Sequence, residues 1–328
     1  MTTSPIHDVA IVGGGAAGLS AAVALGRSLR STVVVDAGAP RNAPADGAHN
    51  VLGREGISPL ELYATGRVEA EGYGARFRRG RAVTARRLED GDADGFEVEL
   101  DDGAPVRARR LLLATGLVDE LPEVPGVREF WGKSVLHCPY CHGWEVRGRR
   151  IAVLGTSPLS VHQALLFRRL SDDVTLLRHT MADPGEEAWE QLSALGVPVV
   201  DGVVARLHSA DESLRSVVFE DGRELPVDAV TVAPRFTARG ELYVQLGGTL
   251  TDHPMGTYVA TGPMGRTEVH GVWAAGNVSD LAAMVATANG AGVAAAAAVN
   301  ADLVAEDARA AVDARAKRRL AAPGRRTG

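Results

Sequence analysis

The chain has 328 residues, with 35 Lys and Arg against 41 Asp and Glu and a formal net charge of −6. That length suits about two domains, and the acidic balance argues against nucleic acid as the main partner. The longest apolar runs, residues 111–114 and 293–299, are too short to span a bilayer, and residues 1–8 form no apolar signal region, so a soluble cytoplasmic protein with no membrane partner is expected.

Residues 8–12 (Asp8-Val9-Ala10-Ile11-Val12) read as a buried strand, followed by Gly13-Gly14-Gly15-Ala16-Ala17-Gly18 and a helix over residues 19–28. This is Gly-x-Gly-x-x-Gly in the strand–turn–helix setting that binds a dinucleotide. Gly13 permits the tight turn, Gly15 lets a pyrophosphate approach the backbone, and Gly18 lets helix and strand pack closely. The helix N-terminus then offers free N–H groups to phosphate oxygens. A second strand, Thr32-Val33-Val34-Val35, ends at Asp36, 18 residues after Gly18, where a ribose-binding carboxylate belongs.

Residues 75–100 and 106–113 read as strands, with a turn at Asp101-Asp102-Gly103. The strand at residues 110–114 closes on Thr115-Gly116, and Leu121-Pro122 and Val124-Pro125-Gly126 look like a crossover between domains. Cys138-Pro139-Tyr140-Cys141 comes next, with His142 directly after, and these two cysteines are the only ones in the chain. A two-residue gap lets the sulfurs meet inside one tight turn, and a lone CxxC in the cytosol is more often catalytic than structural. Zinc would want four ligands. No second CxxC exists, and His137 and His142 flank the cysteines too closely to close a tetrahedron easily, so no metal is expected. Two inert buried thiols are the plain alternative.

A second strand–turn–helix starts at Arg150-Ile151-Ala152-Val153-Leu154 and turns through Gly155-Thr156-Ser157-Pro158-Leu159-Ser160 into a helix near residues 161–169. Only the first glycine of the phosphate loop is present. Ser157 stands where closest backbone approach is needed, and Pro158 removes an N–H where a dinucleotide wants donors. The next strand, residues 173–177, ends in Arg178-His179-Thr180, with neither an acidic ribose partner nor an arginine cluster for a 2′-phosphate. Near the end, Gly271-Val272-Trp273-Ala274-Ala275-Gly276-Asn277 reads as a strand closing on a glycine and a polar side chain. An Ala-rich helix follows over residues 283–304. The basic stretch from Ala314, with Lys317, Arg318, Arg319, Arg325 and Arg326, reads as a frayed tail.

Together these residues resemble the low-molecular-weight thioredoxin reductase family of two-domain flavoproteins over nearly the whole chain. The resemblance rests on Gly13 to Gly18, Asp36, Ala114-Thr115-Gly116, the CxxC just before the second unit, and Gly271 to Gly276. It implies an α/β fold with two Rossmann-like three-layer domains. A discontinuous FAD domain would use residues 1–120 and 241–315, an inserted NAD(P)-type domain with the CxxC would use residues 121–240, and residues 316–328 would be a disordered basic tail. It also implies a homodimer, and an FAD site drawing on Gly13, Gly15, Ala16, Ala17, Gly18, Asp36, Ala37, Arg41, Asn42, Val83, Ala114, Thr115, Gly116, Gly276, Asn277 and Val285. Three departures from the reductase pattern stand out: Pro139-Tyr140 in place of small residues, the missing nicotinamide-site arginines, and Asn277 in place of an aspartate. Asn277 is still able to hydrogen-bond a ribityl hydroxyl. The Cys-x-x-Cys-His-Gly stretch is similar to dithiol oxidases that close disulfides in natural products such as gliotoxin, holomycin and romidepsin.

By that resemblance Cys138 exchanges with substrate and Cys141 lies against the flavin. His142 is the candidate base, since imidazole takes a thiol proton near neutral pH; a histidine that merely holds the turn is the alternative. His137 has the weaker claim, and Tyr140 either walls the pocket or simply packs. The expected partners are a small-molecule dithiol and dioxygen, with hydrogen peroxide as product. Competing readings are a disulfide reductase driven by NADPH or a ferredoxin-type donor, and a flavin-binding sensor without turnover.

Overall fold

A computed structural model describes residues 6–88 and 95–321. The first half runs β1 (Ile6–Val12), α1 (Ala16–Arg27), β2 (Thr32–Asp36), α2 (Pro59–Gly72), β3 (Arg76–Arg79), β4 (Ala82–Arg87), β5 (Phe96–Leu100) and β6 (Pro105–Leu113). β7 (Leu117–Glu120) leads into β8 (Val135–Leu136), α3 (Pro139–His142), β9 (Ile151–Leu154), α4 (Leu159–Arg168), β10 (Val174–Leu177), α5 (Glu186–Ala194) and β11 (Val199–Val200). A hairpin of β12 (Val204–Ala210), β13 (Ser213–Phe219) and β14 (Glu224–Pro226) precedes β15 (Ala229–Thr231) and β16 (Arg235–Ala238). The chain then returns through α6 (Glu241–Gln245), β17 (Leu250–His253), β18 (Gly256–Val259), β19 (Val272–Ala274) and α7 (Val285–Ala321).

The first sheet has seven strands in the order β3-β2-β1-β6-β5-β4, with β19 also paired to β6. Its centre is parallel: β1 pairs β2 and β6, and β6 pairs β19. Such strands are covered on both faces, so they read as unbroken apolar runs; Val9 to Val12 and Leu111 to Leu113 are all buried. β19 joins this sheet from the far end of the sequence, so the first unit is built from both chain ends. A second sheet of five strands, β11-β10-β9-β15-β8, comes wholly from the middle of the chain. Between the two, β7 and β16 run antiparallel with Asp119 opposite Phe236. They are the two strands by which the chain leaves the first unit and re-enters it.

The long helix α7 packs on α1 through small side chains. A Cβ at Gly292 would sit 2.1 Å from the Ala17 carbonyl oxygen, so glycine is required for this approach. At its other end, Arg110 is 2% exposed and pairs with Asp302 at 2.7 Å and with Glu306. Arg109 adds contacts to Asp8 at 2.9 Å and to Glu306 and Asp307 at 2.6 Å. Beyond these anchors the helix continues to Ala321, past Ala314, where a frayed tail is expected from the sequence. Residues 322–328 of that tail, like residues 89–94 within the expected strand 75–100, lie outside the described residues. α1 begins at Ala16, one turn earlier than the apolar pattern suggests. Helix α2 was not foreseen, since Pro59 and Ala70 are its only buried residues and no apolar stripe marks it. Among the described residues no helix is long and apolar enough to cross a membrane.

Candidate active site

One cavity of about 1710 Å³ runs between the two units. At one end the Gly13 to Ala17 turn, Asp36, Ala37, Asn42, Val83, Ala114, Thr115, Gly116, Gly276, Asn277 and Val285 line it, and at the other Arg41, Cys138, Cys141 and His142 do. Of the residues assigned from the sequence to the FAD site and the thiol centre, Gly18 alone does not line it, and the reason is packing. A Cβ at Gly18 would lie 1.8 Å from the Gly13 carbonyl oxygen, inside the strand–helix contact.

The glycine turn is shaped for a ligand. Gly13 has φ +111, and a Cβ there would strike the Ala114 carbonyl oxygen at 2.1 Å. Gly15 differs. Its backbone, φ −83 and ψ −167, suits any residue, and no atom lies within 4 Å of a Cβ placed on it. Nothing in the protein demands glycine there; the open space does. No side chain caps α1, so its first N–H groups face the cavity as anion donors. Asp36 accepts from Gly14 N at 3.2 Å, which fixes its carboxylate at the rim. Asn277 donates from Nδ2 to the carbonyls of Asp280 at 3.1 Å and Ala283 at 2.9 Å. Only its Oδ1 is left for a ligand, so the expected contact to a hydroxyl runs through an acceptor. The residues present therefore fit FAD.

The second loop is closed on itself. Thr156 N donates to Ser160 Oγ at 3.3 Å, and Thr180 N donates to the Gly155 carbonyl at 3.1 Å. Pro158 stands at the cap of α4. His179 Nδ1 accepts from Val204 N at 3.0 Å, and Arg178 pairs with Asp201 at 3.4 Å and stacks over Trp189. Gly155 N and Thr156 N are thus engaged within the protein, Pro158 has no N–H to give, and the Arg178 cation is paired with Asp201.

The thiols sit on the short turn α3. Cys138 precedes it in an extended conformation, and no side chain caps it by a hydrogen bond. Cys138 is held down to about 7, first by the Cys141 thiol and then by the backbone N–H groups of Cys141 and Tyr140 and by the Arg41 charge, against the opposing effect of burial. Cys141 is pushed up, first by Cys138 and then by burial. In the reduced pair the shared charge therefore rests on Cys138. His142 follows on the same turn with its pKa lowered by burial, so it is neutral at pH 7. Its Nε2 is buried without a hydrogen-bond partner among the described residues. His137 is tied down instead. Its Nδ1 lies 3.0 Å from the Val232 carbonyl and its ring meets Phe236 edge-on at 5.1 Å. Tyr140 is 65% exposed at the cavity mouth, which makes it a wall residue rather than a core one.

Three residues from elsewhere in the chain hold the surroundings of this turn, and the sequence names only Arg41 among them, as an FAD-site residue. Arg41 holds Asp119 through Nε at 2.8 Å and Nη2 at 2.6 Å, and stacks over Phe236 at 5.1 Å. It therefore clamps the crossing strands beside the thiols. Gln163 donates to the carbonyls of His137 at 2.8 Å and Val232 at 3.0 Å. Asn50, from the loop after β2, donates to the Tyr140 carbonyl at 2.8 Å. Each is brought in from far along the chain, so only tertiary contact reveals this role.

The profile of the pyridine nucleotide-disulphide oxidoreductases matches residues 7–301. The chain belongs to that family. As a member it is an FAD-dependent oxidoreductase of thiols and disulfides. This family member is 36% identical to thioredoxin reductase tcpT of Claviceps purpurea (strain 20.1), over 84% of this chain and 88% of that one. It is 31% identical to thioredoxin reductase sirT of Leptosphaeria maculans, over 92% of this chain and 95% of that one. The crystal structure of HlmI superposes with a TM-score of 0.90 at 45% identity, covering 97% of this chain and 98% of that one. The resemblance to thioredoxin reductase-like flavoproteins and the two-unit α/β fold read from the sequence are both borne out.

Proposed function

We propose that this oxidoreductase converts a small-molecule dithiol to its cyclic disulfide and passes the electrons to dioxygen. The observation that carries the reading is the contrast between the two loops: an open, donor-rich cradle at Gly15, and a second loop in which Thr156 N is taken by Ser160 Oγ and Pro158 offers no N–H, both beside one pair of thiols. The cavity exceeds the roughly 300–1,000 Å³ of an ordinary ligand pocket, which leaves room for a substrate beside a dinucleotide.

The chain's own residues supply the following chemistry. In the disulfide form a substrate thiolate attacks Cys138 Sγ. The Cys138–Cys141 bond breaks, a substrate–Cys138 mixed disulfide forms, and Cys141 leaves as thiolate. His142 Nε2 takes the proton of the second substrate thiol. That thiolate attacks the substrate sulfur of the mixed disulfide, closes the ring and expels Cys138. The backbone N–H groups of Cys141 and Tyr140 and the Arg41 charge favour Cys138 as the departing thiolate. When bound, FAD supplies the two-electron acceptor that restores the Cys138–Cys141 disulfide and whose electrons convert dioxygen to hydrogen peroxide. A reductase of protein disulfides is the second reading, favoured by the names of the two fungal relatives; the second loop, which loses donors to Pro158 and to Ser160 Oγ, speaks against it.

Anaerobic mixing separates the two. A dithiol such as dithiothreitol is expected to bleach the yellow protein, and air to restore it, while NADPH bleaches it at least about a hundredfold more slowly, the scale of several lost charge-assisted contacts. Rapid bleaching by NADPH would establish the reductase instead.

Because burial lowers the His142 pKa, the base stays unprotonated into mildly acidic solution. At saturating substrate, the ring-closing step should hold its rate down to a pH below about 6.5, the ordinary histidine value. In His142→Ala the substrate thiol must ionise unaided. Its rate at pH 7 should fall by about a hundredfold, the usual scale of base catalysis, and recover as pH nears about 8.5. An unchanged pH profile in this variant would place the base elsewhere.

A further inference from the structure

The loop over residues 47–57 touches the thiol turn from the first unit. A bridge between Ala48 and Ile57 closes it at its base. Within it Glu55 is bidentate, with one oxygen 2.7 Å from His49 Nδ1 and the other accepting Asn50 N at 2.8 Å. His49 also reaches Glu145, just past the thiol turn, at 3.5 Å. Asn50 has φ +60, a left-handed conformation that asparagine tolerates better than most residues. Its side chain is thereby aimed at one target, the carbonyl of Tyr140 in the middle of the CxxC.

We propose that Asn50 is a positioning residue that sets which sulfur of the pair carries the charge. In a trans peptide the C=O and N–H point in opposite directions. By holding the Tyr140 carbonyl, Asn50 fixes the Tyr140–Cys141 peptide plane and turns the Cys141 N–H back toward Cys138. That N–H also lies 3.3 Å from the Cys138 carbonyl oxygen, as a formed turn requires. Without the amide donor, water competes for the carbonyl and only the long bond from Cys141 N to the Cys138 carbonyl still holds the plane, so the N–H spends less time turned toward the Cys138 sulfur. Polarisation of the thiols is then coupled to the docking of the two units, since Asn50 and Tyr140 are 90 residues apart in sequence. The inference rests on the reading of Cys138 as the exchanging sulfur.

The other charged and titratable groups around the turn stay in place when Asn50 is changed. They are Arg41 paired with Asp119, Cys141 itself, the flanking His137 and His142, His49, Asp46 and Glu145 acting on His142, and His162 and Arg235 on the cavity wall. A shift in Cys138 ionisation therefore reports the turn.

The test is the pH dependence of iodoacetamide labelling of the reduced holoprotein, mapped to each cysteine by mass spectrometry. Two variants are compared with wild type at matched flavin content and melting temperature. Asn50→Asp keeps size and backbone preference but cannot donate, and Asn50→Gly keeps the backbone with no side chain and no charge. Both should label Cys138 about threefold more slowly at pH 7, the scale of one exposed hydrogen bond, with the titration midpoint moved up. Equal midpoints in wild type and Asn50→Gly would overturn the inference. A shift confined to Asn50→Asp would also overturn it, because the added carboxylate would then be the cause. First labelling at Cys141 in wild type would remove both the inference and the assignment beneath it. Failure of the oxidase reading appears only in the mixing experiment and leaves this comparison intact.

Discussion

Cys138→Ser is expected to lower dithiol oxidation by about a thousandfold or more while the protein stays yellow, because the sulfur that receives the substrate is gone and the glycine cradle at the other end of the cavity is untouched. The first cause of the raised Cys141 pKa is the neighbouring sulfur of Cys138. With that sulfur replaced by a hydroxyl that donates rather than competes, Cys141 ionises more readily. A thiolate beside a flavin gives a long-wavelength charge-transfer absorption, so the variant should show such a band without turnover. Cys141→Ser should lack the band. Offered the disulfide of a monothiol, it should keep one half as a mixed disulfide on Cys138, since no resolving thiol remains on the enzyme. Absorption spectra and intact mass read both outcomes. A band in Cys141→Ser and none in Cys138→Ser would reverse the inner and outer assignments.

Two glycines of one motif should fail in different ways. Gly15→Val should yield a folded, colourless protein that FAD does not turn yellow. The backbone at Gly15 accepts an L-residue and its Cβ position is open, so the apoprotein loses at most about 1–2 kcal/mol, the cost of a poor helix-capping residue. The side chain fills the space that the pyrophosphate needs. Gly18→Ala should lose the fold itself. Its Cβ would lie 1.8 Å from the Gly13 carbonyl oxygen, a clash with backbone that no rotamer relieves. A cost of at least about 4 kcal/mol is expected, a large share of the stability of an ordinary domain. Thermal melts of the apoproteins and flavin absorbance after adding FAD separate the two. A yellow Gly15→Val protein would show that the cofactor does not approach this turn.

Local chemistry was legible in the amino-acid sequence wherever neighbours along the chain suffice to make it. The glycine turn, the acid closing β2, the CxxC and Pro158 in the second loop each act within one turn or one strand–helix unit. Their spacing alone therefore states what backbone geometry and what donors will be present. The continuous apolar strands were legible for the same reason: burial on both faces leaves no polar alternation. Helix α2 was not, because a mostly exposed helix carries no stripe, nor were the last turns of α7, for the same reason, since residues 307–319 are exposed. What only the tertiary structure decided is the state of the thiols. Asn50 bonds the Tyr140 carbonyl of α3, and Arg41, held by Asp119, sets its charge near both thiols, each from a separate part of the chain. A charge or a hydrogen bond acts through space over a few ångströms, and sequence separation says nothing about that distance. The sequence by itself determined that this protein holds a dinucleotide and a dithiol; folding decided that the two share one cavity, and which sulfur bears the charge.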